Sequence, residues 1–194
     1  MSIPVPRLAT YEDLLALTDD VRAEVIHGQL ITSPAPLPRH SKVQRSLARF
    51  VGGPFDDDDG RGGPGGWWIF VEVDIRLASH DIVRPDLVGF RRERLPQPGS
   101  IRPIDVVPDW ICEIASPSTA AIDRVSKRAL YASHGVPHYW IVDPEARTVE
   151  ALELSEGRWL EIGAYDEKSE ARIPPFTELT LEVGRLLLPK DAGG

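Results

Sequence analysis

The chain has 194 residues, 42% hydrophobic and 27% charged, which predicts one globular domain over 1–194, core at about 11–185 and tail at 186–194, and excludes disorder throughout. Its one cysteine, Cys112, excludes an intramolecular disulfide and a cysteine-rich zinc site, and a net charge of −8 argues against a protein that coats nucleic acid nonspecifically. No apolar run approaches the roughly 20 residues of a membrane span and the start lacks a signal-peptide core, so a soluble, cytoplasmic, unexported protein is expected.

Thr10 followed by Asp13 opens a short helix over 11–17. Residues 24–31 read as a hairpin turning at His27-Gly28, and Pro34, Pro36 and Pro38 hold the next segment extended. Val43, Leu47, Phe50 and Val51 fall at i, i+4, i+7 and i+8, predicting an amphipathic helix over 40–51 that Gly52-Gly53-Pro54 ends. The run of aspartates and glycines over 56–66 lacks the alternating ligands of a calcium loop and reads as solvated.

Strict alternation over 67–77 predicts one continuous strand, with 83–90 as its antiparallel return after a turn at Ser79-His80-Asp81. A basic loop with Arg91, Arg92 and Arg94 follows. Residues 110–114 read as a buried central strand, and Ser116-Pro117-Ser118-Thr119 starts a helix that Gly135 and Pro137 stop after about 133. A strand at 138–142 precedes runs at 149–154, 158–162 and 179–183, expected to finish the sheet as an antiparallel meander. The fold class is α/β (α+β), a mixed central sheet flanked by helices.

Asp86 and Glu113 each interrupt an apolar strand, and a buried carboxylate is costly unless it meets water, a donor or a cation. Mg²⁺ takes oxygen ligands, commonly one or two carboxylates with water, so Asp86, Glu113 and the backbone carbonyl of Ile114 would suit it. The competing reading is a structural ion pair with Arg84 or Lys127. Lys127 shares a helix face with Asp123 and Tyr131; it either orients a water at the metal site or pairs with Asp123 in solvent.

Further residues are candidates for support. His40 would donate to a phosphate or cap its helix, and Ser116 would bond Glu113 or cap the next one. Tyr131 packs its ring and uses its hydroxyl locally. Asp74 and Glu72 extend the acidic cluster or are solvated, and Arg91, Arg92 and Arg94 contact a phosphate backbone or form a solvated loop. Cys112 reads as packed, and no organic cofactor is indicated.

Pro85-Asp86 followed a strand later by Glu113-Ile114-Ala115 resembles the PD-(D/E)XK nuclease superfamily, with Ala115 where that pattern has its lysine. Some members carry the lysine on the following helix, as Lys127 would be. Glu24 to Leu30, His40, Arg84-Pro85-Asp86-Leu87, Glu113 to Thr119, Asp123 with Lys127 and Tyr131, and Gly135 to Pro144 together are similar to the Uma-type restriction endonuclease family. The resemblance implies a restriction-endonuclease-like core, Mg²⁺ or Mn²⁺ as cofactor, hydrolysis of DNA and a homodimer; it also assigns Glu24 to the family's acid, in reach of the metal through water, the competing reading being a solvated or capping carboxylate. The alternatives are a weakly active or inactive nucleic-acid or protein binding module, motivated by Ala115 and the acidic charge, and a homo-oligomeric interaction protein.

Overall fold

The computed structural model describes residues 7–18, 20–56, 63–117 and 122–190, with 122–124 by backbone alone. Asp13 accepts the Thr10 amide at 2.8 Å and closes the N-terminus of α1 (Tyr11–Leu15), which ends before the expected residue 17. β1 (Arg22–Ile26) and β2 (Gln29–Ser33) pair antiparallel, with Val25 opposite Leu30. The turn residues His27 and Gly28 have φ of 51° and 73°, the left-handed pair that matches a tight turn to strand twist.

α2 (Pro38–Leu47) starts on a proline, whose missing amide is not needed in a first turn, and runs through a π-helical turn at Ala48–Gly52 into α3 (Gly53–Asp56). The expected stop at Gly52-Gly53-Pro54 is corrected. The wide turn accommodates the glycines, and Pro54 sits at the start of a new helical segment, where it removes no required bond. The centre of the acidic loop, 57–62, lies outside the described residues.

The single strand expected over 67–77 is two strands. β3 (Trp67–Val71) pairs with β6 (Leu87–Arg91), whereas β4 (Ile75–Ala78) pairs with β5 (Asp81–Val83). Val71 faces Leu87 and Ile75 faces Val83, so one register spans both pairs and sets Glu72–Asp74 against Arg84–Asp86. There Glu72 turns to φ 52° and Pro85 supplies no amide, so the ladder opens. One long hairpin feeds two sheets, and Arg84-Pro85-Asp86 occupies the fork.

Beyond the fork, β1 and β2 join β5 and β4 in a four-stranded sheet ordered β2-β1-β5-β4. The six-stranded sheet adds β7 (Trp110–Ile114), β8 (His138–Asp143), β9 (Thr148–Ser155) and β10 (Arg158–Asp166), in the order β10-β9-β8-β7-β6-β3. β7 and β8 are parallel, and their crossover carries a π-helical stretch at Ile122–Lys127 and α4 (Arg128–Ser133). Of the expected start signals of that helix, Ser118 and Thr119 lie outside the described residues, while its stop at Gly135, φ 76°, is as expected.

The meander is corrected in its last member. β12 (Leu181–Glu182) pairs with β11 (Glu170–Ala171) in a separate two-stranded sheet and passes into a 3₁₀ turn, Val183–Leu186. Val183, Leu186 and Leu187 are buried, so 186–187 belong to the core rather than the tail. On that face of the large sheet, Trp67, Trp110, Trp140 and Phe55 gather round Phe176 with ring centroids 4.7–5.7 Å away. The other face packs Ile111, Tyr139 and Ile141 against Leu130 and Tyr131 of α4. Among the described residues no helix is long and apolar enough to cross a membrane.

Candidate active site

Glu113, Asp86 and Lys127 are 2%, 6% and 5% exposed, so each must find its partner inside the protein. Strand alternation in β7 sends Trp110, Cys112 and Ile114 to the tryptophan core, and Glu113 to the face covered by α4. Asp86 stands one residue before Leu87, the last β6 residue paired with β7, and its Oδ2 accepts the Ile114 amide at 2.7 Å. The fork thus releases Asp86 from the ladder and docks its carboxylate beside Glu113.

Lys127 comes from the crossover, at the point where the π-helical stretch meets α4. Its Nζ lies 3.0 Å from Glu113 Oε1 and 2.8 Å from Glu24 Oε2. Tyr131, one helical turn on, donates its hydroxyl to Glu113 Oε1 at 2.6 Å. Burial first, and then the Glu113 carboxylate, push that hydroxyl well above its usual range, so it remains a donor at neutral pH. Of the two readings of Lys127, inward and solvated, the structure has the inward one; the Asp123 side chain lies outside the described residues.

Glu24 enters from the opposite sheet. It is neither solvated nor a cap, since its Oε1 also accepts the Arg84 amide at 2.6 Å. His40 is 7% exposed and does not cap α2: its Nε2 lies 3.0 Å from Asp86 Oδ1, a contact that places the proton on Nε2. Its Nδ1 is buried with no hydrogen-bond partner among the described residues. Glu24, His40, Arg84, Asp86, Glu113 and Lys127 all line one cavity of about 280 Å³, as do Ile114 and Ser116. The residues that Ser116 was expected to cap, 118–121, lie outside the described residues.

Other candidates are placed elsewhere. Asp74 is buried but does not line the cavity; it is held by Arg84 at 2.7 Å, Arg102 at 3.0 Å and the Tyr11 hydroxyl at 3.2 Å. Burial alone would raise the Asp74 pKa, but the two guanidiniums outweigh it and hold the carboxyl below its usual range. The arginine trio sits at the far end of β6 from Asp86, about 15–17 Å along the strand. Arg91 and Arg92 stack on Trp67 and Trp68, each 4.1 Å from the ring centroid, and Arg94 bonds Asp109 at 2.6 Å. These three have structural partners that explain them without a phosphate.

Two residues enter that sequence reasoning passed over. Arg22 lines the cavity, 4.0 Å from Asp86 Oδ1 and 3.0 Å from Glu72, and Gln44 bonds Glu72 at 2.8 Å and the Asp86 carbonyl at 3.3 Å. Arg22 was detectable, because it lies two positions before Glu24 on a strand and so on the same face.

A family model described as "Putative restriction endonuclease", Uma2, matches residues 8–184. The chain belongs to the Uma2 family. Its fold is similar to that of a crystal structure described as "a putative nuclease belonging to DUF820" from Anabaena variabilis, with a TM-score of 0.68 and 23% identity over 91% of this chain and 96% of that one. No curated protein matches.

The donor set of this Uma2 site fits a hard divalent cation. Glu24, Asp86 and Glu113 offer carboxylate oxygens on one cavity, and each carboxylate has about four acceptor positions, so the bonds from Lys127, Tyr131 and His40 do not exhaust them. Among the described residues no three His, Cys, Asp or Glu side chains are gathered as a ready-made cage. A site for Mg²⁺ would need only one or two of these carboxylates, with water completing the shell.

Proposed function

We propose that this protein hydrolyses DNA phosphodiester bonds in a reaction that needs Mg²⁺ or Mn²⁺, held by Asp86, Glu113 and the Ile114 carbonyl. The observation that carries this reading is Lys127: its ammonium reaches Glu113 and Glu24 in the cavity that also contains Asp86, although it comes from a helix and not from the strand. When bound, the cation supplies a polarised phosphate and a water of lowered pKa. Lys127, with its ammonium anchored on Glu113 and Glu24, would help to orient that water. Glu24 and Tyr131 fix the ammonium and Glu113 against each other, and His40 with the Ile114 amide fixes both oxygens of Asp86. Holding these groups in place before substrate arrives is where most of the protein's contribution lies.

The family resemblance supports a homodimer, which would offer two such sites, and the single cysteine fits a reducing, cytoplasmic location. The test is cleavage of labelled DNA in Mn²⁺ by wild type, Asp86→Ala and Glu113→Ala, with circular dichroism to check folding. Cleavage lost in both folded variants and in excess EDTA is expected. Activity retained in either variant, or in EDTA, would overturn the proposal, and DNA binding without cleavage in any divalent ion would make the chain a binding module on a nuclease scaffold.

A further inference from the structure

The cavity that holds the carboxylates has a second, apolar wall. Ile31 faces Glu24 directly across the β1–β2 pair, so the two side chains share a face of the hairpin. Pro34, Pro36 and Leu37, in the extended segment before α2, continue that wall, and Pro117 borders the same space. Leu37 is 45% exposed at the cavity.

A matched duplex has no use for such a wall. Its outer surface is phosphate and sugar and its bases are stacked inside, so it presents no base face to the wall. The charge agrees: Arg22, Arg84 and Lys127 at the cavity already face Glu72, Asp74, Glu24 and Glu113, which leaves little to neutralise a row of phosphates on a chain of net charge −8. A single strand offers both surfaces at once, a phosphate for the carboxylate side and an uncovered base for the Ile31–Leu37 side. We infer that the substrate is single-stranded or locally unpaired DNA, bound with one base against the Ile31–Leu37 wall and the adjoining phosphate at Asp86 and Glu113. This specificity rests on the hydrolytic reading above, but its binding half can be measured alone.

Leu37 allows a test that spares the fold. It occupies the N-cap of α2 in extended conformation, φ −73° and ψ 157°, without a side-chain cap bond, and serine is a preferred N-cap residue. Leu37→Ser therefore removes the apolar contact without harming the helix. With Ca²⁺ in place of Mn²⁺, binding is read by fluorescence anisotropy for oligo(dT), an abasic strand of equal length and a duplex of equal length. The expected result is oligo(dT) about tenfold tighter than either, with the advantage over the abasic strand lost in Leu37→Ser. Equal binding of oligo(dT) and the abasic strand, tighter binding of the duplex, or an unchanged advantage in Leu37→Ser would overturn the inference. A parallel Mn²⁺ cleavage assay separates the two readings: equally fast cutting of duplex and single strand sinks the inference alone, whereas base-dependent binding with no cutting sinks hydrolysis alone.

Discussion

Lys127 Nζ sits 3.0 Å from Glu113 Oε1 and 2.8 Å from Glu24 Oε2, so a single ammonium joins the large sheet to the small one across the candidate site. Their side chains are 6%, 3% and 12% exposed, which makes this a buried charge triad. Removing the ammonium leaves two buried carboxylates facing each other without the cation that joined them. Lys127→Met should therefore destabilise the protein by about 3–5 kcal/mol in urea unfolding, and Glu24→Gln in the same chain should recover part of that loss. Additive effects of the two substitutions would show that Lys127 and Glu24 are not coupled.

Tyr131→Phe removes one charge-assisted hydrogen bond and leaves the ring packing against Tyr139 intact. A loss of about 1.5–3 kcal/mol is expected on the same urea scale. Because burial and Glu113 raise the hydroxyl well above its usual range, it does not ionise at working pH. The pH–rate profile of Tyr131→Phe should thus keep the shape of the wild-type profile; loss of one limb would assign Tyr131 a proton-transfer role.

Asp74 ties Arg84, two positions before Asp86, to Arg102 and Tyr11. Its folded pKa lies below the unfolded value of about 3.9, so its stabilisation is complete above that pH and is lost as pH falls through the folded pKa. The Tm of wild type should exceed that of Asp74→Asn at pH 6, and the gap should narrow below about pH 4. A gap that stayed constant down to pH 2 would refute the linkage.

Gly28 holds the hairpin that presents Glu24. At φ +73° a side chain is strained, and a Cβ would also lie 2.8 Å from the Leu8 Cβ. Gly28→Ala should lower stability by about 1–2 kcal/mol or more, read as a drop in Tm. Gly135→Ala, at φ +76° but with nothing within 4 Å of its added Cβ, is the control that isolates strain from the clash and should lose less.

Asp86 and Glu113 stood out in the sequence because each breaks a local apolar pattern, and Lys127 because it lies four positions before Tyr131, with which it meets Glu113. The hairpin at His27-Gly28 was legible for the same kind of reason: turn chemistry is local. What stayed hidden is long-range. Alternation over 67–77 continues past Glu72, and only the need to divide one hairpin between two sheets breaks it there. Likewise, nothing local says that Arg91 and Arg92 will lie over Trp67 and Trp68, or that Asp74 will be taken by Arg84 and Arg102. The cap reading of His40 fails because its partner, Asp86, is 46 positions away (86 − 40) and meets it only once the fork has formed.

The most direct test of the metal site is anomalous diffraction from crystals of the wild-type protein soaked in Mn²⁺. The expected result is a peak about 2.0–2.2 Å from oxygens of both Asp86 and Glu113, with the Ile114 carbonyl in the same shell and Lys127 facing it. Fully occupied Mn²⁺ elsewhere, or none at all while Glu113 keeps its bonds to Lys127 and Tyr131, would contradict it.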